Sequence, residues 1–203
     1  MNVAVFIDGG HLRVCAKKAH KQYDPAFIVN VANSCVVAGE KLFRILYYDC
    51  DPYTGTVQLP VSNGQKTFNA PNNLLDDLGA LEYVAVRRGI LKFRGWDRTP
   101  ASLKAAKTAA DTGAVAPPLA DHDFKARFEQ KGVDLRIGLD MVTMANTGAA
   151  QLMIVITGDT DLIPAFKLVR ARGFQVAGVN LPNSQIIHEL RQHLDLFRTV
   201  AAW

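Results

Sequence analysis

The chain has 203 residues, with 23 Lys and Arg against 19 Asp and Glu for a formal charge of +4, and 49% apolar side chains. That is enough for one domain with a substantial core and no staples, and no apolar run approaches the roughly 20 residues of a membrane span. Cys15, Cys35 and Cys50 are an odd count without Cys-x-x-Cys spacing, and Met1 leads straight into a strand with no basic, apolar leader. The expectation is reduced thiols in a cytoplasmic protein.

In chain order, Val3–Ile7 reads as a buried strand that stops at Asp8-Gly9-Gly10, followed by a helix from about Leu12 to His20. Asp24-Pro25 has the form of an N-cap with proline at the first helical position, and that helix runs to about Val37. Phe43–Tyr48 is a second strand, ending in Asp49-Cys50-Asp51-Pro52, which reads as a turn. A polar loop with Gly55, Pro60, Asn63 and Gly64 follows, then a short helix over Asn73–Leu81. Tyr83–Val86 is a third strand, and Gly89–Phe93 is expected as an edge strand.

From Gly95 to Gln130 the hydrophobic period fades into an irregular insertion, placed at about 96–130. Asp134–Ala145 fits a helix better than a strand. Met153–Ile156 is an apolar, largely β-branched run that ends at Thr157-Gly158-Asp159-Thr160-Asp161. A helix to Arg172, a strand at Phe174–Val179, a helix near Gln185–His193 and a strand around Phe197–Val200 complete the chain. Alternating strands and helices specify a three-layer α/β/α sandwich with a mostly parallel central sheet.

Two fully apolar runs, each delivering an aspartate to its carboxyl end, put Asp8 and Asp159 on the rim where open parallel sheets bind ligands. Asp161 either joins them or caps the next helix. Asp134 is likewise a rim acid or a cap, and Asp140, set between Leu139 and Met141, needs a partner because a lone acid in an apolar run is costly. Carboxylates gathered at one rim repel unless something positive lies between them, and no Lys or Arg run adjoins Asp8 or Asp159. A hard divalent cation, Mg²⁺ or Mn²⁺, is the economical solution, and it suits attack on a phosphodiester. His11 is placed to touch that site, a phosphate, or its own backbone. Asp121-His122-Asp123 reads as a solvated loop.

The basic side chains are unevenly spread. Arg87, Arg88, Lys92, Arg94, Arg98, Lys104 and Lys107 stand against Asp97 alone, an excess of +6 within 21 residues, with Phe93 and Trp96 interleaved. Such a stretch is either a solvated face or a polyanion track in which cations follow phosphates and rings stack on bases.

These residues together resemble the NYN domain family of PIN-like nucleases, in its bacterial LabA-like branch. The matching stretches are Phe6–Gly9, Phe43–Asp49, Gly89–Gly95, Lys131–Asp134 with Asp140-Met141, and Thr157–Asp161 with Pro164. The resemblance implies a single PIN-like domain over residues 1–203 and a metal-dependent ribonuclease site in which Asp8, Asp134, Asp140, Asp159 and Asp161 are catalytic. Asp8, Asp134, Asp159 and Asp161 would hold the metal. Lys92, Arg94, Lys131, Arg87, Arg88, Trp96 and His11 would face RNA, single-stranded or structured.

The chain departs from the family at His11, where asparagine is usual, and at Leu162, where phenylalanine is usual. A non-catalytic RNA- or partner-binding module is the alternative. An aspartate-nucleophile phosphotransferase fits less well, since Gly10 stands where it wants a second acid. No stripe identifies a dimer interface, although homodimers are common among small α/β nucleases.

Overall fold

The computed structural model describes residues 1–71, 73–201 and 203. In chain order its elements are β1 (Asn2–Asp8), α1 (Gly9–Lys18), α2 (Pro25–Ser34), β2 (Lys41–Cys50), β3 (Gly55–Gln58), β4 (Gln65–Phe68) and α3 (Leu74–Gly79). There follow β5 (Val84–Arg98), α4 (Pro100–Thr112), β6 (Phe124–Lys131), α5 (Val133–Thr147), β7 (Leu152–Ile156), α6 (Ile163–Ala171), β8 (Gln175–Asn180), α7 (His188–Arg191) and β9 (Leu196–Thr199). They divide into two compact units: Met1–Cys50 with Asn73–Gly89 and Gly132–Trp203, and Asp51–Asn72 with Ile90–Lys131.

The first unit is a parallel sheet in the order β5-β2-β1-β7-β8-β9, with only the first half of β5 taking part. Parallel neighbours need crossovers, and α1 with α2, α3, α6 and α7 supply them. β1 lies at the centre because it must be covered on both faces: Val3 to Ile7 have no exposed surface at all, and Leu152 to Ile156 in β7 are all buried.

Alternation then sorts the side chains. Val3, Val5, Ile7, Ile45, Tyr47, Ile154 and Ile156 pack with Leu12, Cys15, Ile28, Val31, Leu75 and Leu78 of α1–α3. The intervening strand residues, among them Phe6, Leu46, Tyr48, Met153 and Val155, are also buried, and α5 packs on β1 and β2 while α6 packs on β8. The result is three layers. Between β1 and β7 the order reverses, with β2 and β5 to one side and β8 and β9 to the other, and a ligand crevice belongs at the carboxyl ends of such a pair.

The second unit differs from its sequence reading. The expected irregular insertion contains a 13-residue helix and an eight-residue strand. α4 starts at Thr99, whose side chain accepts from the Ser102 amide, with Pro100 at its first turn, and ends at Gly113 with φ +68°. β6 pairs antiparallel with the second half of β5, so the expected edge strand at Gly89–Phe93 is part of one 15-residue strand. The polar loop after Pro52 contains the antiparallel hairpin β3–β4. Tyr53, Phe68, Phe93 and Phe128 form this unit's aromatic centre, with ring centroids 5.3 to 6.1 Å apart. Among the described residues all three cysteines are buried, and no helix is long and apolar enough to cross a membrane.

Candidate active site

Asp8 is the last residue of β1 and caps α1, its Oδ1 accepting the His11 amide at 3.1 Å. Gly9 makes this tight strand-to-helix entry possible. A Cβ there would fall 2.5 Å from Tyr47 Oη and 2.8 Å from Asp49 Oδ2. Beneath it runs a buried polar chain: Tyr23 Oη donates to the Gly9 carbonyl and lies 2.8 Å from Tyr47 Oη, and Tyr47 donates to Asp49 Oδ2, which Arg13 also engages. Asp49 is 1% exposed and closes β2 beside Cys50, a correction to the turn expected from sequence.

Across the switch point, Thr157 follows β7. Its hydroxyl lies 3.5 Å from Asp8 Oδ2 and accepts the Asp159 amide at 3.0 Å. Asp159 caps the helical turn Thr160–Leu162 by accepting the Asp161 amide at 2.9 Å. The capping role weighed for Asp161 therefore falls to Asp159, and Asp161 stands exposed in the first turn. The cap of α5 is Gly132, with φ +77° and no side-chain bond, so Asp134 is free of that role and half-buried at the helix start.

Asp134 feels the charges of Asp159, Asp8 and Asp161, and Asp8 feels that of Asp159. Burial pushes the Asp8 carboxyl above its ordinary range, opposed by the His11 amide and imidazole, and the Asp159 charge adds to the rise. Asp134 is raised first by desolvation, then by Asp159, Asp8 and Asp161. Among the described residues none of the four is ion-paired to Lys or Arg. Nor do any three His, Cys, Asp or Glu lie close enough to enclose an ion unaided. Asp134 and Asp161 also line the mouth of an open groove of about 450 Å³ between α5 and α6, walled by Leu135, Leu139, Pro164 and Leu168.

Asp140 is not in that group. Its Oδ2 accepts Tyr48 Oη at 2.9 Å and Arg87 Nε at 2.8 Å. His11 packs its imidazole against Gly158, where a Cβ would fall 2.9 Å from the ring, and its Nε2 lies 3.8 Å from Cys15 Sγ. Burial lowers its pKa, against the pull of Asp8.

The basic stretch breaks up. Arg88 pairs with Asp76, Arg94 and Lys131 both engage Glu129, and Arg98 binds Ser102. Lys92 is exposed and makes no ion pair among the described residues. Trp96 sits edge-on to Phe93, 5.5 Å between centroids, donates to the Gln58 carbonyl and has Lys66 Nζ 5.7 Å from its ring centroid. Asp121 and Asp123 accept backbone amides of Val61, Ser62 and Ala120, which makes them loop ties.

The sequence reading gives no site role to Thr157, Asp49, Tyr47 or Tyr23, although the first three lie in the stretches that resemble the family. Asp49 carries the same signal as Asp8 and Asp159, an acid at the end of an apolar run, masked by Pro52.

No curated protein matches the chain. A crystal structure of a protein of unknown function from Vibrio parahaemolyticus aligns with 98% of this chain and 92% of its own, at 12% identity and a TM-score of 0.47. The NYN domain family model matches residues 2–200. With that match spanning nearly its full length, the chain belongs to the NYN domain family of the PIN-like nuclease superfamily.

Proposed function

We propose that this NYN protein is a ribonuclease that hydrolyses RNA phosphodiester bonds with Mg²⁺ or Mn²⁺ held by Asp8, Asp134 and Asp159, and with Asp161 completing the site. One observation carries the reading: at the switch point the charges of Asp8, Asp159 and Asp161 all reach Asp134 and that of Asp159 reaches Asp8, with Asp8 and Asp134 raised and no cationic side chain paired to any of the four among the described residues. An all-oxygen set of this kind fits a hard cation, which keeps several waters and needs only one or two carboxylates in direct contact. When bound, such a cation activates water and neutralises charge on the phosphoryl oxygens.

The chain's own contribution is orientation. The His11 amide and Thr157 hydroxyl aim Asp8, the Asp161 amide aims Asp159, and the buried Tyr23–Tyr47–Asp49 chain fixes the turn that carries Asp8. Asp140, bound by Arg87 and Tyr48, acts as a positioning residue. Lys92 is the freest of the candidate phosphate contacts, and the family match over residues 2–200 supports one NYN domain that carries the second unit as an insertion.

The test is cleavage of end-labelled RNA with added Mn²⁺. Asp8→Asn and Asp159→Asn keep both helix caps, since asparagine caps as well as aspartate, and are expected to abolish cleavage with circular dichroism unchanged. Cleavage retained in both variants would refute the reading. A non-catalytic RNA-binding module is favoured by one feature, the lack of a ready-made trio of ligands among the described residues. Calorimetric titration separates the two, because an inert module takes up no Mn²⁺.

A further inference from the structure

A second cleft in the first unit, lined by none of Asp8, Asp134, Asp159 and Asp161, lies between the start of β2 and the outer turns of α5. It holds about 200 Å³ and is lined by Phe43, Arg44, Arg87, Asp140, Thr143 and Thr147, among others. Most of its donors are unspent. Arg44 is exposed and makes no ion pair among the described residues, its guanidinium resting 5.4 Å from the Phe43 ring centroid. Arg87 gives Asp140 only its Nε, and its two terminal nitrogens have no partner among the described residues. The Thr143 hydroxyl is likewise free among them, and Thr147 donates to the Met144 carbonyl but can still accept.

Two guanidinium groups against one carboxylate leave the cleft with a net positive charge, and planar guanidinium forks match phosphate oxygens. We infer that this cleft is a phosphate subsite for an RNA strand whose neighbouring nucleotides reach the acidic rim. α5 links the two places directly: Thr143 is nine residues from Asp134, about 13 Å along the axis at 1.5 Å per residue, within the span of a short single-stranded oligonucleotide. The cleft has no aromatic ring beyond Phe43 and no amide side chain among the residues that line it, so it reads backbone and not sequence.

The inference rests on the ribonuclease reading for its substrate but not for its test, which needs no cleavage. Fluorescence anisotropy with fluorescein-labelled hexauridylate is measured in EDTA for the wild type, Arg44→Glu, Arg44→Gln and Lys167→Glu. Lys167 is an exposed residue of α6, and its variant applies the same charge change outside the cleft.

The expected result is a loss of tenfold or more in Arg44→Glu, a smaller loss in Arg44→Gln, and little change in Lys167→Glu. The slope of log K against log salt should flatten by about 0.7, one single-strand phosphate, in the Arg44 variants. Equal losses in Arg44→Glu and Lys167→Glu, or no loss in either, overturn the subsite. Wild-type protein that binds inorganic phosphate through Arg44 but not the oligonucleotide overturns RNA as the occupant. Adding Mn²⁺ afterwards reads the nuclease independently: binding that depends on Arg44 without cleavage sinks the catalytic reading and leaves the cleft standing.

Discussion

The Thr157 hydroxyl stands 3.5 Å from Asp8 Oδ2 and accepts the Asp159 amide at 3.0 Å, so one buried side chain ties together acids 151 residues apart in sequence. Thr157→Val keeps the shape, removes the donor to Asp8 and strands the Asp159 amide. Cleavage or Mn²⁺ affinity should fall by about 10- to 100-fold, as for other groups that orient metal ligands, while Thr157→Ser retains most of both. If valine and serine behaved alike, the hydroxyl would have no part in positioning.

Gly9 is sterically obligatory. Alanine there would put Cβ 2.5 Å from Tyr47 Oη and 2.6 Å from Tyr47 Cζ, in a buried network with nowhere to move. Gly9→Ala should cost about 1–3 kcal/mol, lowering Tm by several degrees for a chain of this size, and should disturb Asp8 before it disturbs the core. Thermal melts and cleavage assays check it together; an unchanged Tm counts against the close packing described.

The raised carboxyls make a prediction about pH. Asp8 and Asp134 lie above the ordinary 3.8 in the folded chain, so without metal the fold prefers them protonated. Their stabilising contribution is complete below the unfolded value and is lost as pH rises through the higher folded values. Asp134→Asn, which cannot ionise, should therefore melt above the wild type in EDTA at pH 8, with the gap closing toward pH 4. Saturating Mn²⁺ should reverse the order, since ligand at 100 times Kd adds about 2.7 kcal/mol to the chain that binds it. A variant that melts below the wild type in EDTA at pH 8 would mean that Asp134 is not held against its neighbours' charge.

How much of this was legible in the sequence follows from which signals are local. The apolar runs Val3–Ile7 and Met153–Ile156 announced doubly covered strands, and their terminal aspartates reached the rim as expected, because a parallel sheet fixes where a strand ends. Asp24-Pro25 announced α2, and Asp24 accepts the Phe27 amide at 2.8 Å. The helix Pro100–Thr112 was missed although Thr99-Pro100 and Gly113 are start and stop signals, because its alanine- and lysine-rich face carries little hydrophobic period. Partnership was harder to read. Nothing local says that Arg87 meets Asp140 or that Arg13 meets Asp49, since both pairs form only when the sheet closes. Along the chain Arg87 to Lys107 reads as one track, whereas in the fold β5 alternates its faces, Asp76 engages Arg88 and Glu129 engages Arg94.

The most direct test is a crystal soaked in Mn²⁺ and measured for anomalous scattering. A peak about 2 Å from carboxylate oxygens of Asp8 and at least one of Asp134 and Asp159 is the expected result. No peak there at saturating Mn²⁺, or a lysine or arginine drawn into the space between those acids, would contradict the account.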